Sequence, residues 1–388
     1  MYQIKLLNKI SPAGLDQLDK GKYKCSSEIE NPDAIMVRSA SMHEMEMPES
    51  LKAIARAGAG TNNIPVDQCA EKGIVVFNTP GANANAVKEL VIAGLFLASR
   101  KIVPAIEWAA TLKGQGAEVG KLVEKGKGQF AGPEITGKKL GVIGLGAIGI
   151  LVANTAHNLG MDVYGYDPYI SVDAAWGLSR AVKHAAALKD IFTECDYITI
   201  HVPLTPETKG MVSSESIAMM KKGVRILNFA RADLVSSADM IEALANGSVG
   251  SYVTDFPTDE LLGVEGVVAI PHLGASTPES EDNCAKMAAL EIVDFLENGN
   301  IKNSVNYPTV VMPRTEHARI CVAHKNVPAT ITQITNKISE LGINIEAIVN
   351  KSKKDYAYTM LDINDKITDQ LVESVSALDG IIRVFVFD

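Results

Sequence analysis

The chain has 388 residues, of which 47% are hydrophobic and 21% charged, a composition typical of a globular protein with two or three domains. A formal charge of −9 argues against a general nucleic-acid binder, which needs a broad basic face. The longest apolar stretches, such as residues 90–98, are far shorter than the roughly 20 residues of a membrane span, and the N-terminus lacks the apolar core of a signal peptide. Five cysteines without a C-x-x-C pair argue against a metal site or a disulfide framework and favour a reducing cytoplasm.

The N-terminal part, residues 1–95, alternates short apolar runs with helical patterns, which predicts a parallel α/β domain. The apolar runs lie at 4–7, 34–37, 51–57 and 74–77. A long helical pattern then covers 87–110, and the Gly- and Lys-rich segment 113–132 predicts a loop.

The middle part, residues 96–282, contains six apolar runs with helical segments between them, at 140–143, 163–166, 197–201, 225–229, 251–255 and 267–270. Such runs are typical of a parallel sheet covered on both faces. A helix is predicted over 276–299, with Ser276 as its N-cap, Pro278 near its first turn and Gly299 just past its end.

The C-terminal part follows a linker, residues 307–316, that contains Pro308 and Pro313. Residues 317–388 predict the order strand (from Ala318), helix (329–341), strand (343–349), strand (356–363), helix (366–378) and strand (381–387). This β-α-β-β-α-β order is typical of a ferredoxin-like module.

A glycine-rich loop follows the first strand of the middle part. Gly144, Gly146 and Gly149 form G-x-G-x-x-G, in which the glycines permit a tight turn, a close approach of a pyrophosphate and close helix–strand packing. On its own, the G-x-G-x-x-G spacing could indicate nothing more than close packing of a helix against a strand. With a strand before it, a helix after it and Asp167 at 18 residues beyond Gly149, it predicts a dinucleotide site. Asp167 would repel a 2′-phosphate and no arginine follows it directly, so NAD is favoured over NADP.

Two further residues, each at the end of a predicted strand, are candidates for substrate binding or proton transfer. Arg231, in L-N-F-A-R-A-D, could bind a carboxylate bidentately or could simply be a surface arginine. His272, in I-P-H-L-G-A-S-T, could exchange a hydroxyl proton or could be a structural histidine. In T-D-F-P-T-D-E-L-L, either Asp259 or Glu260 could orient the histidine ring, and the residues alone leave that choice open.

Taken in order with H-V-P-L-T-P-E-T at 201–208, these motifs make residues 1–306 resemble the D-isomer-specific 2-hydroxyacid dehydrogenases. The resemblance implies a Rossmann-type doubly wound parallel sheet (96–282) inserted into a flavodoxin-like α/β substrate domain (1–95, completed by 283–306), with NAD as cofactor. It implies that Arg231 holds the substrate carboxylate and that His272 is the acid–base group. An ungapped count from Asp255 favours Glu260 as the supporting acid, whereas a deletion relative to the family's Asp-Val-Phe would favour Asp259.

The same resemblance implies two sets of binding residues. The cofactor set is Gly144, Gly146, Ala147, Ile148, Gly149, Asp167, His201, Val202, Pro203, Thr208, Phe229, Ala230, Arg231, Asp255, His272 and Gly274. The substrate set is Arg38, Ser39, Gly60, Thr61 and Asn83. Lys88, near a helix N-terminus, is added because with Arg38 it could supply the cationic phosphate pocket that Ala40, at a position where relatives often carry a basic residue, does not; a solvated helix lysine is the alternative. No metal is implied.

The C-terminal module and the S-T-P-E-S run point to the members that oxidise 3-phospho-D-glycerate with NAD. Alternatives are another substrate (glycerate, D-lactate or 2-hydroxyglutarate) or an NAD-sensing regulatory protein. A homodimer or homotetramer is expected, with neither a nucleic-acid nor a membrane partner.

Residues 317–388 also resemble an ACT domain, a small regulatory fold that binds amino acids at a dimer interface. The resemblance lies in H-K-N-V-P-A at 324–329 and L-G-I-N-I-E-A at 341–347. It implies that His324, Asn326 and Asn344 bind an effector, for which L-serine is expected. Ala329 replaces the glycine usual after the proline, and a dimerisation module that binds no ligand is the alternative.

Overall fold

A computed structural model describes residues 1–387, and its three β-sheets confirm the expected α/β class. The chain forms two compact units. The first contains Met1–Asn83 and the chain from Pro278 onward, and the second is Ala84–Thr277. The predicted boundaries at 95/96 and 282/283 differ from these, because each falls inside a helix that packs with one unit along its length.

In the first unit, the N-terminal segment forms a five-stranded parallel sheet with strand order β2-β1-β3-β4-β5, which is the flavodoxin-like order. Its strands are β1 (Tyr2–Leu7), β2 (Tyr23–Ser26), β3 (Ala34–Val37), β4 (Ala53–Arg56) and β5 (Val75–Phe77), and its helices are α1 (Pro12–Leu15) and α2 (Val66–Glu71). Every residue of β3 and β5 is buried, as expected for a sheet with both faces covered.

The second unit contains a seven-stranded parallel sheet. Its elements are α3 (Ala84–Ser99), α4 (Ile102–Thr111), α5 (Val119–Gly126), β6 (Lys139–Ile143), α6 (Ala147–Asn158), β7 (Asp162–Tyr166), α7 (Val172–Gly177), β8 (Lys183–His184), α8 (Leu188–Glu194), β9 (Tyr197–Ile200), α9 (Ser214–Ala218), β10 (Val224–Asn228), α10 (Ser237–Ala245), β11 (Val249–Thr254) and β12 (Val267–Ala269). The order β12-β11-β10-β9-β6-β7-β8 reverses direction beside β6, which confirms the doubly wound Rossmann-type sheet.

The helix predicted over 87–110 is two helices. Residue Lys101 leaves the helical conformation (φ −58°, ψ 54°), so α3 ends at Ser99 and α4 begins at Ile102. Pro104, in the first turn of α4, is the signal that could have predicted this new start. The predicted loop 113–132 also contains α5, of which no residue is buried. The sequence prediction was wrong at both places.

The chain from Pro278 forms α11 (Pro278–Asn298), β13 (Ala318–Lys325), α12 (Thr330–Glu340), β14 (Ile345–Lys353), β15 (Tyr356–Ile363), α13 (Asp369–Ser376) and β16 (Ile381–Phe387). The last six elements give an antiparallel sheet of order β14-β15-β13-β16, which is the predicted β-α-β-β-α-β fold. No helix within residues 1–387 combines the length and the apolarity needed to cross a membrane.

The C-terminal sheet buries both of its faces. One face carries α12 and α13, whose Ile334 and Leu371 join a small core with Ile320. The other face contributes Tyr358 and Phe385 to a core that also contains Ile4 and Phe77 of the five-stranded sheet, Ile292 and Phe295 of α11, and Tyr307 of the linker. The module is therefore packed onto the rest of its unit through a continuous apolar core.

A buried ion pair lies at the same junction. Arg319 and Asp362 are almost fully buried on adjacent strands, with Nε–Oδ1 and Nη2–Oδ2 distances of 2.6 and 3.0 Å. The guanidinium also donates to the carbonyls of Asn298, at the end of α11, and of Met312 and Pro313 in the linker. One side chain thus fixes the helix end, the linker and the C-terminal sheet together.

Replacement of the acid in this pair should be costly. Asp362→Ala leaves a buried guanidinium without its carboxylate, and we expect a loss of about 3–5 kcal/mol in the free energy of unfolding, measured by urea titration. The control is Glu340→Ala, which removes the exposed pair with Lys337 in the same module and should cost less than about 1 kcal/mol. Equal, small losses in the two variants would contradict the structural role of Arg319.

Candidate active site

The glycine-rich loop joins β6 to α6. Gly144 has a φ of +91°, and a Cβ atom there would lie 2.7 Å from the carbonyl oxygen of His201. A Cβ on Gly149 would lie 1.9 Å from the carbonyl oxygen of Gly144, so α6 meets the loop at a distance that only glycine permits. Gly146 differs, since a Cβ there would have no atom within 4 Å. The second glycine therefore faces open space, where a ligand can approach the backbone.

The N-terminus of α6 is suited to bind an anion. The helix begins at Ala147, and its N-cap, Gly146, provides no side-chain hydrogen bond to the first turn. The first N–H groups of a helix have no partner within it, and its dipole attracts phosphate. Asp167, just after β7, accepts N–H hydrogen bonds from Leu145 and Tyr169, each at 2.8 Å. The acid is thereby held beside the loop, and these residues fit the pyrophosphate and ribose of a dinucleotide.

The segment after β9 lies beside the glycine-rich loop. The N–H of His201 donates to Ile143 at 2.7 Å, and its Nε2 lies 2.9 Å from the Thr199 hydroxyl. Burial lowers the pKa of His201 to about 3, so its ring is neutral. The Thr208 hydroxyl donates to the carbonyl of Pro203 at 2.7 Å and closes the turn that contains the predicted cofactor contacts of 201–208.

Arg231 lies three residues beyond β10 on a turn that one buried side chain organises. The amide of Asn228 donates to the Arg231 carbonyl at 2.8 Å, and its oxygen accepts from the Ala230 N–H at 3.2 Å. The Arg231 side chain is exposed, and its Nη1 donates to the Ala230 carbonyl at 2.6 Å. The sequence analysis did not single out Asn228, although it lies in the N-F-A-R motif. Its position as the last residue of a buried strand was the available signal.

Asp255 and His272 follow β11 and β12 and interact electrostatically. Asp255 is buried; its Oδ2 accepts from the Gly274 N–H at 3.3 Å, whereas its Oδ1 has no hydrogen-bond partner within residues 1–387. Burial raises the pKa of Asp255, and the positive charges of His272 and Arg231 oppose that rise. The exposed His272 ring packs against Phe256, with 4.7 Å between ring centres. The structure therefore brings Arg231, Asp255, His272 and Gly274 together.

The predicted supporting acids have a different environment. Asp259 and Glu260 are exposed on the loop between β11 and β12, and neither side chain makes a hydrogen bond or ion pair within the described part of the chain. The carboxylate that interacts with His272 is that of Asp255, which the sequence analysis assigned to the cofactor. The assignment of Glu260 stays a prediction.

In the first unit, the predicted substrate residues lie on loops after β3 and β4. Asn8 Oδ1 accepts the N–H groups of Ser39 and Ala40 at 3.0 and 2.6 Å, which fixes the first loop. Gly60 and Thr61 lie on the second loop. Arg38 is exposed, with its Nη2 2.5 Å from Oε1 of Glu281 on α11.

Arg56, the last residue of β4, was missed by the sequence analysis. Its Nε donates to the Arg38 carbonyl at 3.1 Å. Its guanidinium also lies close to Gly58, where a Cβ atom, if one were present, would be 2.5 Å from Nη1. Burial lowers the pKa of Arg56, and the charge of Arg38 acts in the same direction. Two guanidinium groups therefore lie beside the loops that carry the predicted substrate residues. The signal that could have found Arg56 is its place at a strand end directly before A-G-A-G.

Asn83 and Lys88 fall on opposite sides of the division of the chain. Asn83 is the last residue of the N-terminal segment in the first unit, whereas Lys88 lies in α3 of the second unit. The Lys88 side chain is largely buried, and its Nζ is 3.7 Å from a carboxylate oxygen of Glu89. No group of three or more His, Cys, Asp or Glu side chains within residues 1–387 is arranged to hold a metal ion.

The predicted effector residues lie at two ends of the C-terminal sheet. His324 is buried and paired with Ala357; its Nε2 lies 2.8 Å from the Thr359 hydroxyl, and burial lowers its pKa. Asn326 follows at the same end. Asn344 precedes β14, whose first residue pairs with Ile363 at the other end of the sheet. A single chain does not bring the three residues together, so a common ligand would need two copies.

Residues 93–274 match the family model of the D-isomer specific 2-hydroxyacid dehydrogenase, NAD binding domain. A D-3-phosphoglycerate dehydrogenase of Escherichia coli is 32% identical over 348 residues, which cover 86% of this chain and 81% of the relative. The chain belongs to this dehydrogenase family. Its second unit therefore carries an NAD-binding domain.

Two further relatives show how far the similarity extends. The D-3-phosphoglycerate dehydrogenase of Pongo abelii is 33% identical over 324 residues, or 80% of this chain, but the chain spans only 58% of that relative's length. The structure of an NAD⁺-bound 3-phosphoglycerate dehydrogenase from Entamoeba histolytica is similar with a TM-score of 0.60 and 28% identity, covering 79% of this chain and 98% of the other.

Substitution of two glycines should separate the loop's packing from its ligand contact. Gly149→Ala forces a Cβ against backbone and should lower both the melting temperature and the NAD affinity. Gly146→Ala meets no atom, so we expect a stability loss below about 1 kcal/mol but a roughly tenfold weaker NAD affinity by calorimetry, since its methyl group would face the pyrophosphate. Unchanged NAD affinity in the Gly146 variant would contradict the placement of the cofactor.

Proposed function

We propose that this chain oxidises 3-phospho-D-glycerate to 3-phosphohydroxypyruvate with NAD, the first step of L-serine synthesis. The observation that carries the proposal is the grouping of Arg231, Asp255 and His272 at the strand ends of an NAD-binding domain. The relatives named D-3-phosphoglycerate dehydrogenase, which cover most of the chain, support the substrate.

The roles of the side chains follow from their chemistry. The guanidinium of Arg231 binds the substrate carboxylate with two parallel hydrogen bonds and so orients C2. His272 accepts the proton of the C2 hydroxyl, and the nearby negative charge of Asp255 stabilises the imidazolium that results. NAD, when bound, supplies the hydride acceptor. Asn228 keeps the turn of Arg231 in place through its two backbone hydrogen bonds.

Removal of either catalytic side chain should reduce turnover far more than cofactor affinity. We expect His272→Ala to lower kcat by about 10²–10⁴-fold with little change in the Kd of NAD. Arg231→Lys should also fail, because an ammonium group cannot form the bidentate contact. Both are measured as NADH consumption with 3-phosphohydroxypyruvate. Near-normal turnover in His272→Ala would remove it as the acid–base group, and NADH consumption that persists in Arg231→Ala would not come from this site.

The acid that supports His272 is decided by pH–rate profiles. We retain Glu260 as the proposal from the sequence, with Asp259 as its alternative, and Asp255 as the acid whose charge acts on His272. Loss of the true supporting carboxylate removes the negative charge that stabilises the imidazolium formed in the reaction, so its amide variant should move the pH–rate profile of the oxidation. Glu260→Gln, Asp259→Asn and Asp255→Asn are compared. Asp255→Asn should move the profile because its charge acts on His272, and of the two loop acids only the one that also supports His272 should move it.

For the substrate phosphate we propose Arg38 and Arg56. Guanidinium groups bind phosphate bidentately, and these two lie beside each other at the loops that carry Ser39, Gly60 and Thr61. Glu281 neutralises part of their charge through Arg38, so a phosphate would compete with that carboxylate. Lys88, the sequence-based candidate, is the second proposal for this role.

Substitution of these cations should be selective for the phosphate. Arg56→Met should raise the KM of the phosphorylated substrate by about 10–100-fold, the equivalent of about one charged hydrogen bond, and leave the KM of D-glycerate unaffected. Lys88→Met is measured beside it and should show the same selectivity if its ammonium group binds phosphate. A residue whose loss affects both substrates equally is not a phosphate ligand.

We also propose that the C-terminal module is an ACT domain that binds L-serine in a homodimer or homotetramer. The ferredoxin-like fold supports the first part, and the separation of His324 from Asn344 within one chain supports a site built by two copies.

Exposed apolar side chains on α4, Ile102 at 38% and Ile106 at 64%, are consistent with association. The five cysteines are free thiols, which supports a cytoplasmic location.

Serine should then inhibit in a saturable manner. Asn344→Ala should abolish the inhibition without changing turnover in the absence of serine, because the residue lies in the module and outside the proposed catalytic groups. By linkage, serine and substrate should alter each other's affinity by the same factor. Full activity at millimolar serine, with no heat of binding, would leave the module without this effector.

A further inference from the structure

A buried carboxyl group lies on α11, outside the proposed catalytic groups. Glu291 is only 7% exposed, between Ala288 and Ile292 on the buried face of the helix. Its Oε1 accepts a hydrogen bond from Nδ2 of Asn303 at 2.7 Å. Its Oε2 is buried and has no partner in the part of the chain that the structure describes. Burial of a carboxyl group with an unpaired oxygen costs free energy of folding, whereas burial of an apolar side chain does not. A carboxyl group in this position therefore indicates a role beyond packing.

Asn303 links Glu291 to the segment that follows β5. It adopts a left-handed backbone conformation, with φ of +52°, which is uncommon for a residue other than glycine. Its carbonyl oxygen accepts the N–H of Asn78, one residue past β5, at 3.3 Å. The hydrogen bond that Asn303 donates to Glu291 thus fixes the side chain of a residue whose backbone orientation determines where Asn78 is held.

Asn78 in turn holds the substrate loop. Its side-chain amide donates to the carbonyl of Ala59 at 2.5 Å, and the next residue, Thr79, donates its N–H to the carbonyl of Gly58 at 3.1 Å. Residues 58–61 include Gly60 and Thr61, which the family resemblance assigns to the substrate. A chain of hydrogen bonds therefore runs from a buried carboxyl group to the backbone of that loop, and all of it lies within the first unit.

We infer that Glu291 is a positioning residue that, as a neutral carboxylic acid, orients Asn303 and through Asn78 sets the backbone of the loop 58–61 for substrate binding. The inference rests on the proposed function, since it takes this loop as part of the substrate site. The neutral acid is the form that such a buried position favours, because an ionised carboxylate there would lack solvation.

The surroundings of Glu291 agree with the neutral form. Burial raises the pKa of Glu291 to about 8, and the hydrogen bond from Asn303 opposes part of this rise. The elements packed on α11 provide few charges: α1 and β3 contain no charged residue, and β4 contains only Arg56. In the adjoining segments, Lys302 is exposed, Lys353 donates to the Ser304 carbonyl, and Asp294 accepts from Asn298 and Asn300.

The test compares an uncharged mimic with an apolar replacement. Glu291→Gln keeps an acceptor oxygen for Asn303 and should retain the parental KM for 3-phospho-D-glycerate at pH 7. Glu291→Leu should raise that KM at least fivefold, with kcat within twofold and the KM of NAD unchanged. In the parent protein the substrate KM should be constant up to about pH 8 and change above it, as the buried acid ionises, and this change should be absent in Glu291→Gln.

The control is Asp294→Asn on the same helix, whose side chain contacts Asn298 and Asn300 and should leave the KM and its pH dependence unchanged. If Glu291→Leu does not fold, Asn303→Ala, which removes the donor, is measured in its place. A merely structural role would lower the melting temperature of the apolar variant without moving the substrate KM, and that result would overturn the inference.

A readout without substrate separates this inference from the proposed function. Amide hydrogen exchange in 58–61 and at Thr79 should accelerate in Glu291→Leu and stay parental in Glu291→Gln. If the parent protein fails to oxidise 3-phospho-D-glycerate, the proposed function fails, while faster exchange in the apolar variant alone still supports the hydrogen-bond chain. Unchanged exchange in Glu291→Leu would contradict that chain whatever the substrate.

Discussion

The parallel arrangement of the seven-stranded sheet is the constraint on which the catalytic chemistry depends. Because all seven strands run in one direction, the segments that follow β6, β7, β9, β10, β11 and β12 emerge at the same edge. The glycine-rich loop, Asp167, the turn 201–208, Arg231, Asp255 and His272 all lie on these segments. Residues that are up to about 130 positions apart in the sequence are thus placed together by backbone hydrogen bonding alone.

Local contacts then convert this common edge into a site. Glycine at 149 lets α6 approach the loop, and Asn228 uses both ends of its amide to shape the turn of Arg231. Asp255 is buried, and one of its carboxylate oxygens has no hydrogen-bond partner within residues 1–387, which costs free energy of folding. Its retention is understandable if its charge acts on His272, because an isolated buried carboxylate would otherwise destabilise the fold.

The C-terminal module raises a different physical question. A regulatory domain on a flexible linker would transmit little, whereas here an apolar core and the hydrogen bonds of Arg319 tie the module to α11 and to the five-stranded sheet. The same helix carries Glu281, beside Arg38, and Glu291, beside Asn303. A change in the position of α11 would therefore reach both loops that carry the predicted substrate residues.

Sequence reasoning succeeded where the signal was local. The G-x-G-x-x-G spacing predicted the nucleotide loop, the cap residues predicted the limits of α11, and the apolar runs predicted the strands of the two parallel sheets except β2 and β8, while the doubly wound and flavodoxin-like arrangements came from the family resemblance. It failed at the break between α3 and α4, and it missed Arg56 and Asn228, whose importance arises from contacts with distant segments. The interaction of Asp255 with His272 likewise depends on how β11 and β12 pair. His324 and Asn344 could be chosen by resemblance, but only the antiparallel register shows that they lie at opposite ends of one sheet.

The central claim is that this site oxidises a phosphorylated D-2-hydroxy acid with NAD. The most direct measurement is the kcat/KM of NAD-dependent oxidation for 3-phospho-D-glycerate, D-glycerate, D-lactate and D-2-hydroxyglutarate under identical conditions. We expect the kcat/KM of the phosphorylated substrate to exceed that of the others by at least about 100-fold, because the proposed phosphate ligands are two guanidinium groups. Preference for an unphosphorylated acid, or no turnover with any of the four, would contradict it.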